Sequence, residues 1–300
     1  MPVVDLDRIS KSYNSKVAVR ELSLRIEQGT IFGLLGPNGA GKTSTIRMMV
    51  GMTLPDSGTV RLFDELFRRD HLRRVGYLPE ERGLYKRMKV IDQLVFMGQL
   101  HGLEALAAKA RARQWCERME IAESMDKKTQ ELSKGMQQKI QFIATLLHDP
   151  ELIIMDEPSS GLDPVNVSLL EQTLLELKSK GRTILFSTHR MEQVEKLCDA
   201  ICLVDQGRAV LEGTMRAVKS RYARDRVVVE YDGDASFLTD PSITELREFP
   251  GRAEFKLRNG GDGQALLASA ARHARIFKFE MVEPSLEEIF IRTVGGRTDA

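Results

Sequence analysis

Short apolar runs, separated by polar and helix-like stretches, occupy most of the chain up to Met215. The runs that alternate with helical stretches begin at Ile31, Val75, Leu152, Thr183 and Ile201. Alternation of this kind is typical of a mostly parallel, doubly wound sheet. Further strand-like runs at residues 3–9, 17–26 and 59–63 predict an antiparallel layer beside that sheet. The pattern therefore predicts an α/β fold.

Residues 88–149 follow a different pattern. They show no convincing strand and are rich in Leu, Ala, Gln, Lys and Arg, which indicates several helices, at about 90–100 and 103–119 and from Ser133 to about Leu147. Ser133 is a suitable N-cap for the last helix, and Gly135 in its first turn allows a close backbone approach. A helix start of this kind binds anions.

After Met215 the pattern changes again. Residues 219–226 are polar and basic and predict a linker between a first domain, residues 1–218, and a second domain, residues 226–300. In the second domain, strands are expected at 226–231, 253–257 and 276–281, an alanine-rich helix at 263–274 and a closing helix from Ser285. This α+β domain carries no cluster of catalytic residue types, which favours a dimer-stabilising or regulatory module over a second active site.

A glycine-rich segment follows the strand at Ile31 and precedes a helical stretch. In order it reads Gly36, Pro37, Asn38, Gly39, Ala40, Gly41, Lys42, Thr43 and Ser44. Its glycines let successive N–H groups turn inward and bind phosphate oxygens, and the helix adds the positive end of its dipole. Lys42 is predicted to reach the β- and γ-phosphates, and the Thr43 hydroxyl to bind Mg²⁺. The flanking strand and helix favour this P-loop over a glycine-rich turn with a chance Gly-Lys-Thr.

An apolar strand beginning at Leu152 ends in Asp156 and Glu157. A carboxylate at the edge of a sheet needs a partner, and a magnesium ion is that partner in this hypothesis. Asp156 is predicted to hold the metal through a water, and Glu157 to polarise the water that attacks the γ-phosphate. Alone, such a strand end is more often a solvated acidic turn. The P-loop upstream favours the metal site.

Two further segments follow the acidic strand end. Residues 160–163 read Ser-Gly-Leu-Asp and end at Asp163, and another apolar run ends at His189. A lone histidine at the end of a strand is more often structural than catalytic. The order of all these motifs changes that interpretation.

Over residues 3–215 the motifs stand in the order found in the ATP-binding cassette family, which this chain resembles. The resemblance implies a P-loop NTPase fold with a helical subdomain, binding of ATP and Mg²⁺, and hydrolysis of ATP. It identifies residues 132–137 as the family signature and implies roles at the nucleotide site for His189 and Asp163. Tyr13 is implied to stack on adenine, and the alternative is a strand aromatic that faces the core.

The resemblance also implies partners. Two cassettes would face each other, so that Ser133 and Gly135 of one chain complete the γ-phosphate site of the other. Hydrolysis would then require a dimer of identical or different chains. The helical subdomain, residues 88–149, would dock a coupling helix of a separate transmembrane permease near Glu80.

The sequence departs from the family pattern at Glu80 and Lys134. Glu80 stands where the family usually has a glutamine, and its carboxylate offers an oxygen to Mg²⁺ and the attacking water with an added charge. Lys134 lies in a signature that reads Ser-Lys-Gly-Met and not Ser-Gly-Gly-Gln. Both variants, and the end of the second domain from Glu283, resemble a subgroup linked to efflux of sodium, drugs and other small molecules.

Composition fits a cytoplasmic protein, and the resemblance implies a place on the cytoplasmic face of the cell membrane. Of 300 residues, 42% are hydrophobic and 29% charged, and the apolar runs are far shorter than the roughly 20 residues that span a bilayer. No signal peptide is apparent. A net charge of +1 gives no electrostatic reason to expect a nucleic-acid partner. Cys116, Cys198 and Cys202 lack metal-binding spacing, and the last two are expected to pack as small apolar residues.

The hypothesis from the sequence is an ATPase subunit of a membrane exporter. A cassette ATPase that acts on ribosomes or DNA is the main alternative. Relatives that act on ribosomes usually carry two cassettes in one chain, and DNA-repair relatives carry a long insertion that finds no room between Lys42 and Ser133. A nucleotide-binding regulator without hydrolysis is disfavoured by Glu157 and His189.

Overall fold

The structure is a computed structural model and describes residues 1–81, 83–222, 225–258 and 261–295. The chain divides into two compact units, Met1–Met215 and Arg216–Ala300. Positions 223 and 224 of the predicted linker and positions 296–300 of the predicted second domain lie outside the described residues.

The first unit alternates strands and helices along the chain. Its strands are β1 (Pro2–Tyr13), β2 (Lys16–Glu27), β3 (Ile31–Leu35), β4 (Ser57–Leu62), β5 (Glu65–Leu66), β6 (Val75–Leu78), β7 (Leu152–Asp156), β8 (Thr183–Thr188), β9 (Ala200–Asp205) and β10 (Arg208–Thr214). Its helices are α1 (Lys42–Met49), α2 (Val90–Leu100), α3 (Ala105–Arg118), α4 (Lys134–Leu146), α5 (Pro164–Ser179) and α6 (Met191–Leu197), and α7 (Met215–Lys219) begins at its last residue.

A central sheet has the strand order β10-β9-β3-β8-β7-β6, and all of its neighbours are parallel except β10 and β9. Strands β3 and β7 are buried at every position. Continuous apolar runs suit them because a parallel sheet is covered on both faces. The carboxyl ends of these parallel strands lie at one edge, where α/β sheets bind ligands.

The predicted antiparallel layer is a second sheet with the order β2-β1-β4-β5. One buried apolar cluster takes side chains from β1, β2, β3, β7 and α1, among them Leu6, Leu22, Leu34, Ile46 and Ile154. This shared core fixes the start of α1, and with it the P-loop, between the two sheets.

Helices α2, α3 and α4 fill the segment that the sequence predicts to be helical. The Ser133 hydroxyl caps α4 by accepting a hydrogen bond from the Met136 N–H at 3.2 Å, as the sequence predicts. Asp163 caps α5 in the same way, accepting from the Asn166 N–H at 3.0 Å. Pro164 then occupies the first turn of α5, where its missing N–H costs nothing.

The described part of the second unit begins within α7 and continues as an antiparallel sheet with two further α-helices. Its elements are β11 (Arg226–Gly233), β12 (Ile243–Phe249), β13 (Arg252–Leu257), α8 (Gly263–His273), β14 (Ala274–Val282) and α9 (Leu286–Gly295). The strand order is β12-β13-β11-β14. Val227, Val229, Phe255 and Leu257 form its core with Leu266 of α8.

Strands β10 and β12, like the two-residue β5, are absent from the sequence-based prediction. Both are edge strands, and an edge strand carries polar residues on much of its surface. In β10 only Leu211 is buried, and β12 has no buried residue. Neither β10 nor β12 therefore has the kind of apolar run on which the strand predictions rest.

Candidate active site

The P-loop connects the end of β3 to the start of α1. Gly36 and Gly41 have φ angles of 149° and 110°, which residues with a Cβ rarely adopt. A Cβ at Gly36 would lie 2.2 Å from the Val204 carbonyl oxygen, and one at Gly41 would lie 2.4 Å from that of Ala18. These positions require glycine on both conformational and steric grounds.

Lys42, the first residue of α1, is buried beneath this loop. Its Nζ donates to the carbonyl oxygens of Gly36 at 2.7 Å and Pro37 at 3.1 Å, which points the ammonium group back along the loop. Burial lowers the pKa of Lys42, and attraction to Glu157, Asp156 and Glu80 opposes that shift. The lysine therefore shares one electrostatic environment with all three acids.

Asp156 ends β7 and is 1% exposed. Its Oδ1 accepts a hydrogen bond from the Ser187 hydroxyl on neighbouring β8. Its Oδ2 is buried and has no hydrogen-bond partner among the residues that the structure describes. A buried carboxylate oxygen without a donor is unfavourable, and a cation would satisfy it. The hydroxyl-bearing Thr43 and the carboxylate-bearing Glu80 line the same cavity, so the oxygen ligands fit Mg²⁺.

Glu157 has a φ angle of 50°, a left-handed conformation that is unfavourable for a residue other than glycine. Its N–H donates to the Ser187 carbonyl oxygen at 3.1 Å, and its Oε2 accepts from the Thr188 hydroxyl at 3.3 Å. His189 Nδ1 lies 2.8 Å from its Oε1. The side chain of Glu157 is 12% exposed and that of His189 is 61% exposed. Backbone strain and these contacts hold the carboxylate at the cavity wall.

A cavity of about 460 Å³ brings these groups together. Its lining residues are Lys16, Ala18, Asn38, Gly39, Gly41, Lys42, Thr43, Ser44, Glu80, Asp156 and Glu157. Lys16 and Ala18 are missed by the sequence analysis. Both belong to β2, and no local motif marks them. Only the close approach of β2 to Gly41 reveals their place.

Several predicted site residues do not line this cavity. Tyr13 ends β1 and is 41% exposed, so it does not pack into the core. Ser133 is exposed and Gly135 half-buried at the start of α4, and a Cβ at Gly135 would lie 3.4 Å from the Gly161 carbonyl oxygen. Asp163 is exposed and hydrogen-bonded to Asn166, which lowers the pKa of its carboxyl group.

The sequence model of the family described as ABC transporter matches residues 19–160. A second model, the C-terminal domain of DrrA1-3-like ATP-binding proteins, matches residues 213–294. The chain is 42% identical over 295 residues to an uncharacterized ABC transporter ATP-binding protein, YhaQ of Bacillus subtilis, covering 98% of this chain and 99% of the relative. It is 34% identical to the Nod factor export ATP-binding protein I of Paraburkholderia xenovorans, covering 97% of each chain.

Among solved structures, an ATP-binding subunit of an ABC transporter is similar, with a TM-score of 0.68 and 27% sequence identity. The match covers 73% of this chain and 92% of that subunit. The predicted fold class is therefore confirmed. None of the helices in residues 1–81, 83–222, 225–258 and 261–295 has the length and apolar character needed to cross a membrane.

Proposed function

We propose, since this chain belongs to the ATP-binding cassette transporter family, that it is the ATP-hydrolysing subunit of an exporter of ions, drugs or other small molecules. It would couple ATP-driven pairing of two cassettes to movement of a separate membrane permease. The observation that carries this proposal is the cavity shared by Lys42, Asp156 and Glu157 beside the P-loop.

ATP binds with its β- and γ-phosphates against the P-loop amides and the Lys42 ammonium group. Lys42 already has backbone acceptors that aim it along the loop, so little reorganisation is needed on binding. Tyr13 provides an exposed ring for the adenine. Thr43, Asp156 and Glu80 would hold Mg²⁺, which when bound supplies neutralisation of phosphate charge.

Glu157 accepts a proton from the water that attacks the γ-phosphate. Its carboxylate is held by the Thr188 hydroxyl and by His189, so its orientation is set before the nucleotide arrives. An oriented base of this kind contributes about 10²- to 10⁴-fold to a rate. His189 is the more exposed partner and is free to contact the γ-phosphate.

The site is completed by a second cassette. Membership of the ABC transporter family supports a second cassette and a membrane permease as partners of this chain. In this chain, Ser133 and Gly135 lie outside the cavity, at the start of α4. We assign them to the γ-phosphate bound by the partner copy, and we propose that the pair lies on the cytoplasmic face of a membrane beside its permease. Export as the direction of transport is supported by the Nod factor export relative.

The test replaces the proposed base. Glu157→Gln should lower kcat for ATP hydrolysis by about 10²-fold or more while leaving ATP affinity near the parental value. With ATP, the variant should elute from a size-exclusion column as a dimer. Glu192→Gln, an exposed acid on α6, is the matched control and should hydrolyse ATP normally.

Hydrolysis by Glu157→Gln at the parental rate would overturn the assignment of the base. Purification of the tagged chain from detergent-solubilised membranes tests the transport role, and a permease is the expected partner. Ribosomes or DNA recovered in its place would favour the alternative function.

A further inference from the structure

Gln141 lies on α4, distant in sequence from the loop that carries Glu80. It is 6% exposed. Its Nε2 donates to the carbonyl oxygens of Pro79 at 3.3 Å and Glu81 at 3.1 Å. These are the two carbonyl groups that flank Glu80. Because only the amide nitrogen can donate to carbonyl oxygens, the orientation of this side chain is fixed by its partners.

The same face of α4 holds the other acidic loop. Gln138, one turn earlier, donates from its Nε2 to the Pro158 carbonyl oxygen at 3.1 Å, directly after Glu157. Thr145, one turn later, donates to the Tyr77 carbonyl oxygen at 3.3 Å. Side chains at these spacings share one side of a helix. Helix α4 therefore contacts the backbone beside Glu157 and beside Glu80, two of the three acids of the cavity.

The position of Glu80 matters more than that of a neutral residue would, because its side chain is charged. Its carboxylate is exposed and lines the cavity, where it acts electrostatically on Lys42. A charged side chain that moves by a few ångströms changes the balance of charge around the phosphates, since the interaction varies with distance. The hydrogen bonds from Gln141 to the carbonyl groups on either side of Glu80 restrict the backbone that carries this carboxylate.

We propose that Gln141 is a positioning residue, which sets the place of the Glu80 carboxylate at the nucleotide by holding residues 79–81. This inference rests on the proposed function, since Glu80 matters to a reaction only if ATP is hydrolysed in the cavity. Gln141 itself does not line the cavity and acts through Glu80.

The experiment is a double-mutant cycle on kcat for ATP hydrolysis, with Gln141→Met and Glu80→Ala alone and combined. Methionine preserves the length of the side chain and donates no hydrogen bond. Gln141→Met should lower kcat ~10-fold, as expected for loss of two buried hydrogen bonds. In the Glu80→Ala background the same change should cost less than ~2-fold, because the residue through which Gln141 acts is gone.

A second readout does not depend on activity. Hydrogen–deuterium exchange of the nucleotide-free protein should be faster at residues 77–81 in Gln141→Met than in the parent. Lys139→Met is the matched control, since Lys139 is also a buried residue of α4 that donates to a backbone carbonyl, that of Met119 at 2.8 Å. Exchange at residues 77–81 should be unchanged in that control.

Three results would each overturn the proposal. They are equal losses of kcat in the parental and Glu80→Ala backgrounds, a parental kcat in Gln141→Met, and unchanged hydrogen–deuterium exchange at residues 77–81. Should Gln141→Met not fold, Gln141→Asn replaces it with the same expectations, because its amide is too short to reach both carbonyls. Failure of the ATPase activity on which this inference rests is distinguishable, since the parent would then hydrolyse no ATP. Failure of the positioning role leaves the parent active and Glu157→Gln inactive.

Discussion

The nucleotide cavity and the start of α4 are two regions of the same unit with opposite character. The cavity contains a buried lysine, a buried carboxylate oxygen without a hydrogen-bond partner among the described residues, and a strained Glu157. At the start of α4, Ser133 is exposed, and its hydroxyl already accepts a hydrogen bond from within its own helix. The cavity is incomplete without a ligand, whereas the start of α4 is stable on its own.

This difference indicates how the two regions are used. Unsatisfied and buried charges favour tight binding of a charged ligand, because the ligand replaces interactions that water cannot provide. An exposed helix N-terminus binds an anion more weakly, because solvent and salt screen the helix dipole. We therefore expect the cavity to bind ATP in a single chain, and the start of α4 to act only when a second chain brings a nucleotide to it.

The largest expected effect is at Lys42. Lys42→Ala removes the cation to which the three acids are attracted and leaves their charge near the phosphates. ATP affinity should fall about 100-fold, a difference of about 2.7 kcal/mol. Equilibrium binding of a fluorescent ATP analogue measures this effect, and the protein is kept dilute so that the chains are unpaired.

Lys139→Met is a matched control for that prediction. Lys139 is also a buried lysine whose pKa is lowered by burial, and it also donates to a backbone carbonyl. It lies outside the cavity, so its loss should leave ATP affinity within about 2-fold of the parent. Parental ATP affinity in Lys42→Ala would contradict the comparison between the two regions.

Sequence reasoning identifies candidate residues of the cavity because its motifs are local. The P-loop and the acidic end of β7 are each short segments whose residue types indicate their chemistry, and residues of both line the cavity. Contacts between distant segments are different. Lys16, which lines the cavity from β2, and Gln141, which holds the Glu80 loop, belong to no local pattern. Their places depend on how the strands and helices pack.

A smaller effect, confined to the paired state, is expected at Ser133. Aspartate is as good an N-cap as serine, so Ser133→Asp should keep α4 stable while placing a negative charge against the partner's γ-phosphate. ATP affinity of the separate chain should be unchanged, and kcat should fall about 50-fold. Steady-state hydrolysis at a protein concentration that supports pairing, compared with the binding assay, separates the two effects.

Ser133→Ala supplies the complementary variant. It removes the cap at a cost of about 1 kcal/mol of stability and adds no charge. It should therefore lower the unfolding temperature more than Ser133→Asp, and lower kcat less. If Ser133→Asp hydrolyses ATP like the parent, Ser133 is only a helix cap, and the start of α4 has no part in the reaction.

The smallest expected effect concerns the opposite end of α4. His148 follows this helix and stacks on His101, with ring centroids 3.8 Å apart, and one of its ring nitrogens bonds the Val75 carbonyl oxygen at 3.0 Å. Burial, and then the neighbouring His101, lowers the pKa of His148 to about 4, although the Val75 bond and Asp149 oppose the shift. The folded protein therefore holds this histidine neutral at pH values where the unfolded chain protonates it.

Stability should decrease as the pH falls from 6.5 towards 4, because the unfolded chain takes up a proton that folded His148 does not. Allowing for partial exposure, the loss is about 2 kcal/mol. His148→Gln cannot titrate and should lose less stability over the same range, which urea unfolding at several pH values measures. Equal losses in parent and variant would show that other groups cause the pH dependence. Because His148 lies at the far end of the helix from Ser133, ATP affinity at the cavity should differ little between parent and variant at pH 7, which keeps this test separate from those at Lys42 and Ser133.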